Sequence, residues 1–410
     1  MLSHNTGVPK SDQIALFLAF VVAGCATSSS GGVSERVPNG DRREEHLVPL
    51  EPARVSEGPV VAAPVPPAPP ARGSALPADA KNGGESDLWI SLARWVREGN
   101  ASSLMRKRAP EGSWFLLTGS NGVFSLKPGT LAARWNGTEL RLGFEPILID
   151  NVPFVHALDL KKNIEPLLHA GPLRTRPRPV IVVDAGHGGA NGGTTHVTEA
   201  RYEKEYTLDL AKRLEPLLAA SGWTVFLTRT NDSDMSLQDR VAFAEQKNAD
   251  LFVSLHFNSA APSREQSGLE TFCLTPAGMA STLTRGYEDN PDLVFANNSF
   301  DAENLQYAML LHRALLEAGG FVDRGVRRAR FLTVLRGHSR PAVLLEAGYL
   351  SNPQEAARIA DPAFRQRLAE AIAGALEVRN GVLSRTVPPV RGAPVSRQAA
   401  SSGRNGASVP

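Results

Sequence analysis

Three apolar runs in this chain each end in a side chain able to bind a metal or move a proton. VIVVDAGH ends at His187, LFVSLH ends at His256, and AVLLE ends at Glu346. Short, continuously apolar runs of this kind read as strands buried on both faces. In open α/β sheets the ligand crevice lies at the carboxyl ends of the strands, so the three groups are expected to converge on one sheet edge. Gly186, Gly188 and Gly189 around His187 free the backbone for a sharp turn and let a substrate come close. Glu203 opens the next helical stretch and can point a carboxylate back at the same edge. Two histidines, one glutamate and an open fourth position is the composition of a catalytic zinc site. The cation polarises a carbonyl and brings the pKa of its bound water to about 7. A separate carboxylate must then take that water's proton and deliver it to the leaving amine, and Glu346 suits the role. Singly, His187 reads as a turn cap and His256 as a satisfied core residue; their joint placement tips the balance towards chemistry.

The elements that must position these groups follow from periodicity. Val180–Asp184, Trp223–Thr228, Leu251–Leu255, Leu269–Leu274 and Ala342–Leu345 read as buried strands. Helices fit Glu203 to Ala220, Leu237–Lys247, Ala302–Ala318 and Asp361–Val378, with Pro216 expected to kink the first. Apolar strands separated by amphipathic helices imply an α/β fold, a mixed sheet flanked by helices on both faces. Before it, residues 86–175 read as a small β-rich domain. Leu88, Leu92, Trp95 and Val96 line one face of a short helix, and strand-like runs follow, punctuated by Asn121-Gly122, Pro128-Gly129 and Asn136-Gly137. Trp89, Trp95, Trp114 and Trp135 are expected in its core rather than on a glycan platform.

Composition narrows the classes. With 410 residues there is room for two or three domains, and with 42% hydrophobic residues for real cores. Only 2 cysteines, Cys25 and Cys273, exclude a disulfide scaffold and a four-cysteine zinc module. Metal chemistry must therefore draw on the 9 histidines and on carboxylates. A net charge of +2 argues against a nucleic-acid partner. Cys273, between Phe272 and Leu274, reads as inert core. The loop around His187 lacks the last glycine of a dinucleotide motif. Gly337-His338-Ser339-Arg340-Pro341 precedes its strand where a nucleophile elbow would follow one.

VVDAGHGG at 182–189, EKEYTLDLAKRL at 203–214, VFLTR at 225–229, ADLFVSLHFNS at 249–259 and PAVLLEAGYLSNP at 341–353 together resemble the zinc-dependent N-acetylmuramoyl-L-alanine amidases of the amidase_3 type. The resemblance runs from about Pro179 to Asn380, in the family's order and spacing. It implies cleavage of the amide between N-acetylmuramic acid and the L-alanine of the peptidoglycan stem. It also implies one Zn2+ held by His187, Glu203 and His256, with Glu346 as the catalytic glutamate. Glu203 aligns with the family's Glu-Lys pair, while Glu199, Glu205 and His196 are rival ligands. Arg229, Asp232 and Arg240 match recurring positions near the sheet edge and read as structural charge pairing. His338 reads as a solvated loop histidine rather than a second proton donor. Some members carry a long helix plugging the metal site; here Pro276 to Leu305 is polar and helix-poor, and reads as a substrate-side loop. The sequence therefore does not require activation by a protein partner, and it leaves a regulatory partner unknown.

The ends of the chain carry a different signal. Ile14 to Gly24 is an uninterrupted apolar and small run of signal-peptide size, too short to span a bilayer. Val22-Ala23-Gly24-Cys25 resembles the bacterial lipoprotein signal, which implies lipidation of Cys25 and, with Ala26 following, an outer-membrane anchor facing the periplasm. The expected layout is a signal peptide over 1–24, a disordered Pro/Ser/Ala-rich linker over 25–85, the small β-rich domain, the amidase domain over 178–382 and a disordered tail over 383–410. As a coil the linker reaches roughly 45 Å. A non-catalytic wall-binding lipoprotein, or a zinc hydrolase for another wall amide, stand as alternatives.

Overall fold

The computed structural model of the chain describes residues 88–110, 112–284 and 286–383. The expected signal peptide, Cys25, the linker and nearly all of the expected tail lie outside the described residues. In chain order, β1 (Trp89–Ser91) runs into a single turn, α1 (Leu92–Trp95). A meander follows: β2 (Ser103–Ala109), β3 (Gly112–Gly119), β4 (Gly122–Leu126), β5 (Ala132–Trp135) and β6 (Thr138–Arg141). Next come the hairpin β7 (Ile147–Ile149) and β8 (Val152–His156), then short turns α2 (Ala157–Asp159) and α3 (Glu165–Leu168). Asn136 and Gly137 link β5 to β6 with φ of 49° and 89°, the pair of left-handed residues that a tight hairpin needs. β2 escapes a sequence reading because its sequence, SLMRKRA, lacks apolar alternation. It forms the outer edge of the sheet, where exposed Arg106, Lys107 and Arg108 discourage further pairing. Of the four tryptophans only Trp95 is core; Trp89, Trp114 and Trp135 are half-buried.

The second half alternates strand and helix: β9 (Val180–Ala185), α4 (Glu203–Ala220), β10 (Thr224–Leu227), α5 (Leu237–Gln246) and β11 (Leu251–Asn258). It continues with β12 (Leu269–Cys273), α6 (Asp301–Gly319), β13 (Asp323–Arg328), α7 (Thr333–Arg336) and β14 (Ala342–Tyr349). α8 (Pro353–Ala360), α9 (Pro362–Ala375), β15 (Val378–Arg379) and β16 (Val382–Leu383) close the described chain. α4 continues through Pro216 to Ala220. β10, β9, β11 and β14 are parallel neighbours, while β12 pairs antiparallel with β14 and parallel with β13. α4, α6 and α9 cover one face through Leu210, Leu214, Leu311, Leu315 and Leu368. α5 and α7 cover the other, packing Ala244, Val334 and Leu335 on Val182, Phe252 and Leu344.

Three expectations change here. The β-rich segment is not set apart: β6 pairs with β13 through Leu140 and Val326, giving one sheet ordered β10-β9-β11-β14-β12-β13-β6-β5-β4-β3-β2. Asp323 reinforces the seam by accepting from Glu139 N at 2.9 Å. The joining strand reads DRGVRR, and its charge density hides it from a search for apolar runs. The loop after β12 also moves. Because β12 runs antiparallel to β14, its carboxyl end leaves the sheet on the side away from Glu346, and the loop is tied there by Arg330 to Met279 and Asp289. It does not flank the candidate site. At the other end Leu383, expected to open the tail, is buried and donates its N–H to Leu173 O at 3.0 Å. Among the described residues, no helix is long and apolar enough to cross a membrane.

Candidate metal centre

β9, β11 and β14 lie side by side, so their carboxyl ends bring His187, His256 and Glu346 to one edge. His256 and Glu346 are Cα partners across the β11–β14 ladder and project from the same face. The chain turns sharply as it leaves β9. His187 has φ of 61°, a left-handed conformation that is uncommon for a side chain with a Cβ. Two contacts hold it there: Arg240 Nη2 donates to His187 O at 2.8 Å, and His187 Nδ1 meets Asn191 Oδ1 at 2.9 Å. Reciprocal backbone hydrogen bonds between Gly188 and Asn191 close the turn. A Cβ on Gly188 would sit 2.2 Å from the Ser233 carbonyl oxygen, so the loop packs too tightly for any other residue.

Glu203 is the first residue of α4 and is buried between the two imidazoles. Its Oε2 lies 3.0 Å from His187 Nε2 and accepts from Thr194 N at 3.1 Å. Its Oε1 lies 2.9 Å from His256 Nδ1 and accepts from Phe257 N at 3.0 Å. One ligand atom from each residue falls within a 4.8 Å cluster, and among the described residues this is the only such group. The donor set fits a metal ion on a hydrogen-bond argument. Asn191 Oδ1 accepts from Gly193 N at 3.1 Å, which identifies it as the amide oxygen, so His187 Nδ1 carries the proton and Nε2 presents a lone pair. Two acceptors then face each other 3.0 Å apart, Nε2 and Glu203 Oε2. Only a proton or a cation reconciles them, and neutral imidazoles with a carboxylate are what zinc takes.

The electrostatics agree with a carboxylate held ionised. Burial would raise the Glu203 pKa, but His187 and His256 together pull it well below the ordinary range. For His187, burial disfavours the charged ring, yet Glu203, Asn191 and the charge of Glu346 outweigh it and raise the pKa. For His256, burial wins and the pKa falls, which keeps this ring neutral. The influence of Glu346 on His187 places that carboxylate within electrostatic reach of the centre.

The rival ligands are engaged elsewhere. Glu205 accepts from Tyr202 N at 3.0 Å and pairs with Arg201, capping α4. Glu199 accepts from Tyr206 OH, and His196 Nδ1 accepts from Glu199 N at 3.1 Å. Arg229 gives its guanidinium to Ala185 O, Gly186 O and Lys204 O, tying the end of β9 to the start of α4. Arg240 pairs with buried Asp184 at 2.6 Å, and Asp232 pairs with Lys204 at 2.7 Å. All three act as braces. His338 is not a solvated loop residue: it is fully buried at the amino end of β14, with its ring 4.2 Å from that of Phe252. Cys273 is buried as expected. Sequence reasoning missed Asn191, whose only signal is its place in the glycine-rich loop four residues after His187.

Residues 181–378 match the family model described as N-acetylmuramoyl-L-alanine amidase. Over 215 residues the chain is 30% identical to the N-acetylmuramoyl-L-alanine amidase AmiA of Escherichia coli, covering 47% of this chain and 73% of that protein. The chain belongs to this amidase family. It is also 31% identical over 250 residues to the N-acetylmuramoyl-L-alanine amidase AmiC of Neisseria meningitidis, covering 55% of this chain and 59% of that one. The chain thus spans a little over half the length of that relative. Among solved structures, the catalytic domain of the amidase CwlV from Bacillus (Paenibacillus) polymyxa shares 34% identity, covering 48% of this chain and 94% of that one, with a TM-score of 0.40. Every residue of the candidate centre lies within the amidase-family segment.

Proposed function

We propose that the chain hydrolyses the amide between N-acetylmuramic acid and the L-alanine of the peptidoglycan stem. The observation that carries this reading is the convergence of His187, Glu203 and His256 beside Glu346 within the family segment. His187, Glu203 and His256 would hold one zinc ion, which when bound supplies Lewis acidity towards the scissile carbonyl and makes water a stronger acid. Glu203 stays ionised between the imidazoles, and Asn191 keeps the proton on His187 Nδ1 so that Nε2 remains a donor of electrons. Glu346 takes a proton from the attacking water on a carboxylate oxygen and passes it to the nitrogen of the leaving L-alanine. Lipidation of Cys25 would anchor the protein in the outer membrane facing the periplasm, and the linker over 25–85 would let the domain reach the wall.

Digestion of purified peptidoglycan with the zinc-loaded protein tests this. Stem peptides with a free amino-terminal L-alanine are expected, and Glu346→Gln should lower the rate by about 10²–10⁴-fold with its zinc content unchanged. Full activity in that variant, or products cut at a cross-link instead, would overturn the mechanism.

A further inference from the structure

A second charged cluster shares the sheet face with the candidate centre. His256 is the Cα partner of Glu346, and Glu346 that of Glu270, so the three form a row across β11, β14 and β12. On β13, Arg327 is the Cα partner of Phe272, two residues along from Glu270, and Arg324 and Arg327 bring their guanidinium groups back to the end of this row. Arg141 on β6 follows Leu140, the partner of Val326, and so comes level with Arg327. Arg324 Nε and Arg327 Nη2 approach the same oxygen, Glu270 Oε1, at 3.3 and 3.6 Å. The other oxygen accepts from Asn258 Nδ2 at 2.9 Å and from Tyr349 OH at 3.3 Å. Arg324 is further occupied by Gln266 at 3.0 Å and by the Tyr349 ring beneath it. Arg327 is not: its Nε is buried without a hydrogen-bond partner, and the 3.6 Å approach is its only ion pair among the described residues. Burial, with the charges of Arg141 and Arg324, outweighs Glu270 and lowers the pKa of this guanidinium. Two guanidinium groups share one oxygen of a single carboxylate, and the charge of Arg141 adds to theirs at Arg327. An anion entering beside the row would pair the half-buried Arg327 guanidinium and relieve the repulsion.

We propose that Arg327 and Arg141 form a subsite for a carboxylate of the stem peptide, on its second or third residue. This rests on the amidase reading above. From β14 to β13 is two strand spacings, about 9.5 Å. An extended peptide advances roughly 3.3–3.6 Å per residue, so a stem running from Glu346 along the row brings its second or third residue over Arg327. The subsite makes the enzyme discriminate between charged and amidated stems.

The test compares two muramoyl-L-alanyl dipeptides, one with a free carboxylate on its second residue and one with that carboxylate amidated. For the full-length zinc-loaded protein, kcat/KM is expected to favour the free carboxylate at least tenfold, mainly through KM. In Arg327→Gln that ratio should collapse towards one, and in Arg327→Lys part of it should return. A wild-type ratio near one, or a wild-type ratio retained in Arg327→Gln, overturns the proposal. Should Arg327→Gln melt as an unfolded chain, exposed Arg141→Gln decides: a reduced ratio supports the subsite and an unchanged one overturns it. Calorimetric binding of the free dipeptide L-alanyl-D-glutamate separates the two readings. If the protein cleaves neither substrate yet binds this peptide in an Arg327-dependent way, the amidase reading fails and the subsite stands. Binding indifferent to Arg327 overturns the subsite.

Discussion

Replacing Gly186 by alanine adds one methyl group where the His256 ring leaves no room for it. The new Cβ would lie 2.4 Å from Cε1, 2.6 Å from Nε2 and 2.7 Å from Nδ1 of that ring. Ordinary carbon contacts are about 3.5–4.0 Å, so one partner must move by about 1 Å. The backbone cannot easily yield. Gly186 N donates to Leu255 O at 3.1 Å, and Gly186 O accepts from Thr207 Oγ1 at 2.8 Å and from Arg229 Nη2 at 2.9 Å. The imidazole is therefore the part that shifts, and with it the 2.9 Å approach of Nδ1 to Glu203. Gly186 is not among the residues with positive φ, so the loss would be steric rather than a matter of backbone strain. Overpacking of this kind costs about 1–3 kcal/mol. Expressed at the metal, that is roughly 5- to 150-fold in zinc affinity. Competition against a chromophoric chelator would measure the zinc Kd of both proteins, with melting curves of the metal-free forms alongside. Wild-type affinity together with a wild-type melting temperature in Gly186→Ala would refute the claim that this glycine makes space for a ligand.

Other expectations can be checked on the same preparations. Asn191→Ala removes the acceptor that orients His187 and should weaken zinc binding about 10–100-fold; an unchanged Kd would mean that the ring is held by packing alone. His338 should make the fold acid-sensitive. Burial pushes its pKa down to about 4 against an ordinary 6.5, so the folded state keeps it neutral while the unfolded chain protonates. Between pH 6.5 and 4 the unfolded state binds more protons, and stability present above 6.5 is lost as pH falls, by up to about 3 kcal/mol. In urea titrations at pH 7 and pH 5, His338→Leu should lose less stability than wild type over that interval; equal losses would show that other groups carry the acid limb.

Much of this protein is legible along the chain because strands buried on both faces must be apolar throughout. A polar side chain ending such a run stands out, and His187, His256 and Glu346 were visible for that reason. The helices between them announce themselves by an apolar stripe. What stayed hidden lacks that contrast. β2 and β13 are strands rich in arginine, the first because it lies at a sheet edge and the second because its charges meet Glu270 on β12 and the Glu139 N–H on β6 only in the folded sheet. His338 looked like a loop residue because the stretch around it is polar; its burial against Phe252 comes from a strand distant in sequence.

The sequence alone therefore determines the alternation of strand and helix, the polar groups at the strand ends and the class of chemistry they can support. Those are local properties, set by periodicity over a few residues. The tertiary structure decided the rest. It placed Glu203, not Glu205, between the histidines, since successive helical residues are turned by about 100° and the pair face opposite sides of α4, one towards the histidines and the other back at its own amino terminus. It joined the β-rich segment to the sheet through β6 and β13, and it set Arg327 and Arg141 side by side on those neighbouring strands. Strand order and register depend on pairings between residues far apart in sequence, such as Phe252 with Ala342 and Val326 with Leu140, and no short-range pattern encodes them.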